Sequence, residues 1–325
     1  MSRNIYEQQS ANKRNTFIVM VLFTLFIGFL GWGFDVYFFG FGEGGLTIPF
    51  ATIGALCFGG FSAAWSLESG ASTVLSSSGA IPVSDNDPKY QVLRDVVEEM
   101  AIASGLPRPH IYVIPDPDPN AFATGKDPEH ASIAVTEGLL EKLDREELQG
   151  VVAHELGHVR NYDIRMMTVV AALVGAVMLL SEFGFRSGRI GVGRKRSSSS
   201  GGGVIMLLFW LIAIVLAPIV AQVLAMAVSR QREYLADASG AELTRNPNAL
   251  ASALEKIDRA VEPTRSIKKG TAHLCIADPL GRNINGKEGF FAELFGTHPP
   301  IVKRIMVLHA MAFRYGDPVG APSHS

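Results

Sequence analysis

Apolar and polar positions divide this chain into membrane-length runs separated by aqueous segments. The uncharged run from Asn15 to Phe34 has 20 residues and that from Gly44 to Leu67 has 24, and a helix needs about 20 to cross a bilayer core. The first run is longer than the apolar part of a signal peptide and no small-residue cleavage site follows it, so both runs are predicted to span. Arg3, Lys13 and Arg14 precede the first, whereas the connector to the second carries Asp35 and Glu43 and no Lys or Arg. Basic residues are retained on the cytoplasmic side, which puts the N-terminus there and returns the chain after Leu67 to the cytoplasm.

A third run, Met166 to Ser181, has only 16 residues, and a fourth, with its apolar core at Val204 to Val228, is of spanning length. Between them Arg186, Arg189, Arg194, Lys195 and Arg196 lead into a Ser/Gly tract that ends at Gly203. A translocated loop of this charge opposes the positive-inside pattern. The opposition is resolved by a hairpin that does not traverse, or by an orientation dominated by the first pair; we take the second, a true crossing. Met166 and Met167 are then expected to face lipid.

The aqueous segments run from Ile81 to Asp163 and from Arg230 onward. Tyr90 to Ala103 carries Leu93, Val96, Val97 and Met100 at helical spacing and is stopped by Gly105-Leu-Pro-Arg-Pro. Short β-prone runs at His110 to Ile114, Ala121 to Thr124 and Ser132 to Thr136 are separated by turn residues and predict a small sheet. Asp144 stands three residues before Glu147, the spacing of a capping box, and Leu148, Val151, Val152 and Leu156 give the helix that follows an apolar face. The fold class is α+β and mostly helical. The expected order is a cytoplasmic N-terminus (1–14), two transmembrane helices (15–67), a first cytoplasmic part (68–165), a membrane hairpin (166–228) with the basic loop 186–203, and a second cytoplasmic part (229–325). The tail from Asp317 reads as disordered.

Composition supports lipid contact: hydrophobic residues make up 48%, charged residues 18%, and the mean hydropathy is +0.22. Basic and acidic residues nearly cancel at 29 and 31, so no global field draws the chain to nucleic acid. Cys57 and Cys275 do not form a disulfide framework or a C-x-x-C pair, which fits a reducing compartment.

The predicted helix after Asp144 contains His154-Glu-Leu-Gly-His158. Residues four apart project from one helical face, so two imidazoles can meet one Zn²⁺, and Glu155 is placed to take a proton from water. A chance pair of surface histidines is the plainer reading, but Val151, Val152, Ala153, Leu156 and Val159 are apolar and predict a mostly buried helix. The metzincin continuation fails, because Asn161 and Ile164 stand where its Gly and third His belong, so a carboxylate is expected as third ligand. Glu233 and Asp237, one turn apart after the fourth run, are candidates for ligand and for the acceptor of a ligand's second N–H. A solvated Arg/Glu/Asp face is the other reading of that stretch.

With these residues in place the chain resembles the HtpX-type integral membrane zinc metalloproteases, relatives of the yeast-type CAAX prenyl protease. The resemblance is carried by His154 to Asp163, by Ser229-Arg-x-Arg-Glu-Tyr-x-Ala-Asp237, by Pro119-Asn-Ala-Phe-Ala-Thr-Gly125 and by Thr297-His-Pro299. It implies a zincin-like catalytic domain holding one Zn²⁺ on His154, His158 and Glu233, with Glu155 as base and Asp237 supporting a ligand. It implies further that His298 donates to the oxyanion, although a surface His before a Pro-Pro helix start is the other reading. Asn120, Ala121, Phe122 and Ala123 would be the edge strand that pairs with an extended substrate. The implied activity is endopeptidase action on protein or peptide substrates, in quality control of misfolded membrane proteins and in stress response. It implies a multi-pass protein among the lipids of a bacterial inner membrane, with the site facing the cytoplasm. Four apolar runs are too few for a prenyl-protease chamber, which argues against prenylated substrates. The rival from another class is a catalytically silent zincin-fold scaffold that binds partners or lipids. Insertion of the His-Glu-x-x-His helix in the bilayer is disfavoured by Asp144 to Glu147, Arg160, Asp163 and Arg165 around it.

Overall fold

The computed structural model describes residues 5–39, 48–175, 230–260, 266, 274–277 and 299–316. The fourth apolar run, the basic loop 186–203 and the tail from Asp317 lie outside them, as does the third run beyond residue 175. Two described helices are long and apolar enough to cross a membrane, over Glu7–Val36 and Phe50–Ser77.

Helix α1 (Ile5–Phe39) has 35 residues and α2 (Phe50–Ser77) has 28. At about 1.5 Å per residue α1 is roughly 52 Å long, well beyond a hydrocarbon core of about 30 Å. Asp35, expected in the connector, is instead a buried residue of α1. Its carboxylate accepts from Ala51 N–H (3.0 Å), Thr52 N–H (2.7 Å) and Thr52 Oγ1 (2.7 Å). These are first-turn donors of α2, whose N-cap Pro49 offers no side-chain acceptor. A Cβ on Gly31 would lie 2.6 Å from both Ala51 O and Ala55 Cβ, so the two helices approach at a distance only glycine permits. Phe17, Leu22, Phe29, Trp32, Phe58, Phe61 and Trp65 point outward, exposed, as side chains facing lipid do.

The sheet has the order β1-β2-β4-β3, with β1 (Ile81–Pro82), β2 (His110–Ile114), β3 (Ala121–Thr124) and β4 (Ser132–Thr136). β2 and β4 are parallel, and β3 runs antiparallel to β4 at the end of the sheet. The three strands expected from composition are found with those bounds; the two-residue β1 carries too little pattern to be read. Helix α3 (Gln91–Ser104) precedes β2 and ends on Gly105 at φ 68°. Thr136 caps the short α4 (Glu137–Lys142).

Helix α5 (Arg145–Arg160) starts with the expected capping box: Asp144 accepts from Glu147 N–H at 3.0 Å and Glu147 accepts from Asp144 N–H at 2.9 Å. The chain then turns through Tyr162, at φ 59°, into helical α6 over 163–175. Helices α7 (Arg230–Thr244), α8 (Pro247–Asp258) and α9 (Ile301–Gly316) complete the described fold.

The sheet is buried on both faces and separates two cores. Ala121, Ala123, Ile133 and Val135 face a core built on α3, α5 and α8. Phe122, Ala134 and Ile114 face α1 and α6, where they meet Phe23, Ile27, Met166 and Met167. The two methionines are therefore packed inside, not exposed to lipid: each is 2% exposed, because α6 lies between the sheet and α1.

Glu147 also accepts from Ser252 Oγ and Lys256 Nζ, each at 2.6 Å, and so ties the start of α5 to α8. Loss of the N-cap in Asp144→Ala is expected to cost about 1 kcal/mol. Glu147→Ala removes the partner of the half-buried Ser252 hydroxyl and of Lys256 as well and should cost more, about 2–3 kcal/mol. Thermal unfolding in detergent checks the order; equal losses would mean that Glu147 does no more than cap.

Candidate metal centre

Helix α5 passes through the middle of the domain, and His154, Glu155 and His158 on it are 0%, 1% and 3% exposed. Glu233, on α7, is equally buried. Contact between α5 and α7 is close because each presents a glycine to the other. A Cβ on Gly157 would lie 3.3 Å from Ala236 Cα, and one on Gly240 would lie 3.1 Å from the backbone nitrogen of His154. Larger residues there would push the helices apart and draw Glu233 away from the histidines.

One ligand atom from each of His154, His158 and Glu233 falls within 4.8 Å of the others. His158 Nε2 is 3.6 Å from Glu233 Oε1, and His154 Nε2 is 3.9 Å from Glu233 Oε2. Three donors that would repel or compete if left alone thus converge on one point, the arrangement a metal ion requires. Both imidazoles present Nε2 inward, and the outer nitrogens face carboxylates. His154 Nδ1 is 3.0 Å from Asp237 Oδ1, and His158 Nδ1 is 3.3 Å from Asp163 Oδ2. Such partners fix the tautomer and raise the basicity of the inner nitrogen.

Asp237 is in turn gripped by Arg304 of α9, with Nε on Oδ2 at 2.8 Å and Nη2 on Oδ1 at 2.7 Å. The same guanidinium lies 3.4 Å from Glu233 Oε2 and donates to Ile276 O at 2.7 Å. Burial alone would raise the Asp237 carboxyl, but Arg304 and His154 hold it below the usual carboxylate range. Burial alone would likewise depress His158, yet the hydrogen bond to Asp163 and the charges of Glu233, Asp163 and Glu155 push it up to about 9. Glu155 is shifted upward, chiefly by burial and also by Glu233, against the two histidines. Its carboxylate accepts from Ala123 N–H, while Oε1 is buried with no hydrogen-bond partner among the described residues.

The structure brings His154, His158 and Glu233 together, with Asp237 beside His154. His298 lies outside the described residues. Strand β3 is at the end of the sheet, beside Glu155, but part of its outer edge is engaged. Ala121 C=O accepts from Ile276 N–H at 2.9 Å, and Asn120 Nδ2 donates to Ala277 O at 3.1 Å. Sequence reasoning missed Asp163 and Arg304. Asp163 is five residues past His158, and the positive φ of Tyr162 that turns it back has no simple signature in a non-glycine residue. Arg304 follows Lys303 near the start of α9, and no spacing ties it to Asp237, 67 positions away.

Comparison with known proteins finds relatives along nearly the whole chain. The profile of the family described as "Peptidase family M48" matches residues 88–312. A "Protease HtpX homolog" of Caldanaerobacter subterraneus subsp. tengcongensis is 45% identical over 313 residues, covering 95% of this chain and 98% of the relative. One of Tropheryma whipplei is 44% identical over 311 residues, covering 96% of this chain and 100% of the relative. The structure described as "Crystal Structure of S. mikatae Ste24p" is similar at 19% identity with a TM-score of 0.49, over 92% of this chain and 67% of that one.

Removing the carboxylate behind a ligand should loosen the metal without deleting a ligand. Asp237→Ala is expected to lower metal affinity by about 10- to 100-fold. Arg304→Lys, a point charge where a fork is needed, should lower it less. Metal content after dialysis against graded chelator measures both; a folded Asp237→Ala protein that holds metal as tightly as the parent would refute the assignment.

Proposed function

The chain belongs to peptidase family M48 and is a membrane metalloprotease, and from that premise we propose that it is a zinc endopeptidase using His154, His158 and Glu233 as ligands and Glu155 as base. The convergence of the three ligand atoms beside the unpartnered Glu155 Oε1 carries the reading. Donors held about 2.0–2.1 Å from a tetrahedral zinc lie roughly 3.4 Å apart, close to the 3.6 and 3.9 Å separations of the histidines from Glu233. The set of two neutral imidazoles and a carboxylate is one that catalytic zinc accepts while keeping a position open.

When bound, zinc supplies Lewis acidity to the scissile carbonyl and to water. Glu155 accepts the proton that water loses as it attacks, and Oε1 is the atom free to take it. The upward shift of this carboxyl suits it to hold the proton and then hand it to the leaving amine. Asp237 and Asp163 keep the imidazoles oriented throughout. His298 donates to the developing oxyanion, a role for which one positioned donor contributes about 3 kcal/mol. An extended substrate pairs along Asn120 to Ala123, where it displaces Ile276 from Ala121 C=O. Main-chain pairing selects for unfolded segments rather than for a side-chain motif.

The substrates we propose are misfolded membrane proteins, cut in their cytoplasmic segments beside the lipid surface of a bacterial inner membrane. Residues 68–165 and 229–325 contribute the two parts of the cytoplasmic domain, around a hairpin at 166–228. Two observations support this side. The N-terminal end of α1 carries Lys13 and Arg14, and that same end hydrogen-bonds the end of the metal helix, with Gln9 Nε2 2.8 Å from Arg160 O.

Purified protein in detergent is compared with Glu155→Gln for bound zinc and for cleavage of an unfolded casein-like substrate. The expected result is about one zinc in both, with chelator-sensitive cleavage in the parent that falls by about 10²- to 10⁴-fold in the variant. Stoichiometric zinc without cleavage in the parent would favour a silent scaffold, and no zinc would defeat the ligand set.

A further inference from the structure

The upward-projecting end of the first membrane helix reaches the metal site through a single buried side chain. Asn12, 3% exposed, donates through Nδ2 to Asp163 Oδ1 at 2.7 Å. The other oxygen of that carboxylate faces His158 Nδ1 at 3.3 Å. Asp163 is itself 0% exposed, and its other charged neighbour, Arg232 Nε, stands farther off at 3.4 Å from Oδ1. Asn12 is thus the shortest polar contact that Asp163 makes among these groups, and it comes from an element separated from α5 by most of the domain.

We propose that Asn12 is a positioning residue for the metal ligand His158, acting through Asp163, so that the membrane anchor α1 completes the metal site instead of merely tethering it. A buried carboxylate has few stable orientations unless both oxygens are satisfied. His158 engages one and Asn12 the other, which sets the rotation of the carboxylate and hence the direction in which His158 Nε2 points. The same amide also donates to Asn161 O at 2.8 Å, just past the end of α5. Gln9 donates to Arg160 O at 2.8 Å, and Lys13 Nζ lies 4.1 Å from the centre of the Tyr162 ring. Contacts from α1 therefore hold the whole turn between His158 and Asp163 in place. Among the described residues, Gln9 makes its hydrogen bond and Lys13 its ring contact to the end of α5 and that turn, whereas Asn12 hydrogen-bonds the carboxylate beside His158.

The inference rests on the metal reading above, and its test separates the two. Full-length protein in detergent is loaded with Co²⁺, whose visible spectrum reports ligand geometry, and metal release to excess chelator is timed. Asn12→Leu and the isosteric Asn12→Asp, which puts a second carboxylate against Asp163, are expected to change the spectrum and to speed release by about tenfold, at the low end of losses for groups behind a ligand. Gln9→Ala, which loses a contact of α1 with α5 but none with Asp163, should stay within about twofold of the parent on the same scale. In an Asp163→Asn background the further change Asn12→Leu should add little, because residues acting through one another are not additive. A folded Asn12→Leu or Asn12→Asp protein with the parent's spectrum and release rate would overturn the inference while leaving the metal site intact. So would a full, additive effect of Asn12→Leu in the Asp163→Asn background, which would reduce Asn12 to a cap on α5. A parent that binds no Co²⁺ would defeat both this inference and the metal reading.

Discussion

The structure is organised around the cost of burying charge. Glu155, Asp163, Glu233 and Asp237 are all buried around the two histidines, and the only guanidiniums buried with them among the described residues are those of Arg232 and Arg304. With neutral imidazoles the cluster falls two positive charges short of balance, which is what one divalent cation provides. Charges taken out of water are tolerated only when paired and hydrogen-bonded. The upward shifts of Glu155 and His158 both follow from this burial, by different routes: loss of water raises the Glu155 carboxyl directly, whereas His158 is raised, against burial, by its hydrogen bond to Asp163 and the charges of Glu233, Asp163 and Glu155. Placement of α7 and α9 follows from this constraint, since Glu233 must reach the histidines and Arg304 must reach Asp237.

Packing then has to hold ligands from distant parts of the chain within tenths of an ångström. Gly157 and Gly240 let α5 and α7 lie against each other with backbone nearly touching backbone. Behind α5 the sheet presents alternate residues to two cores, so that Ala123, on the site side, sends its N–H to Glu155 while Phe122 packs among the membrane-proximal helices. A strand of period two is well suited to this division, because successive side chains alternate faces, so that Ala123 lies in one core and Phe122 seals the other.

What could be read from sequence was local. The capping box at Asp144 and Glu147, the three strands and the His154–His158 pair all depend on spacings of a few residues, where helix and strand periods act directly. Glu233 and Asp237 were legible as a pair because they too are one turn apart, although only chemistry, the need for a carboxylate, connected them to α5. What was not legible was the support behind these residues. Arg304, Asp163 and Asn12 find their partners across 67, 5 and 151 positions, and no periodicity encodes a contact of that kind. Asp35 was misplaced for a related reason: a charge after an apolar run reads as the start of a loop, yet here it is retained inside α1 because α2 offers it three donors.

The length of α1 now has a physical reason. A helix that served only to span would need about 20 residues, and the 35 of α1 exceed that by more than tilt requires. Most of the surplus lies at the N-terminal end, where Gln9, Asn12 and Lys13 engage the end of α5 and the turn that follows it. Lys126 Nζ, 2.5 Å from Glu68 Oε2, makes another tie between the aqueous domain and a membrane helix. That exposed pair contributes little to stability. The buried contacts of α1 are different in kind: through Asn12 and Asp163 they enter the hydrogen-bond network around His158, where, in the proposed site, small displacements have chemical consequences. The seating of α1 thus bears on the orientation of His158 through the carboxylate of Asp163.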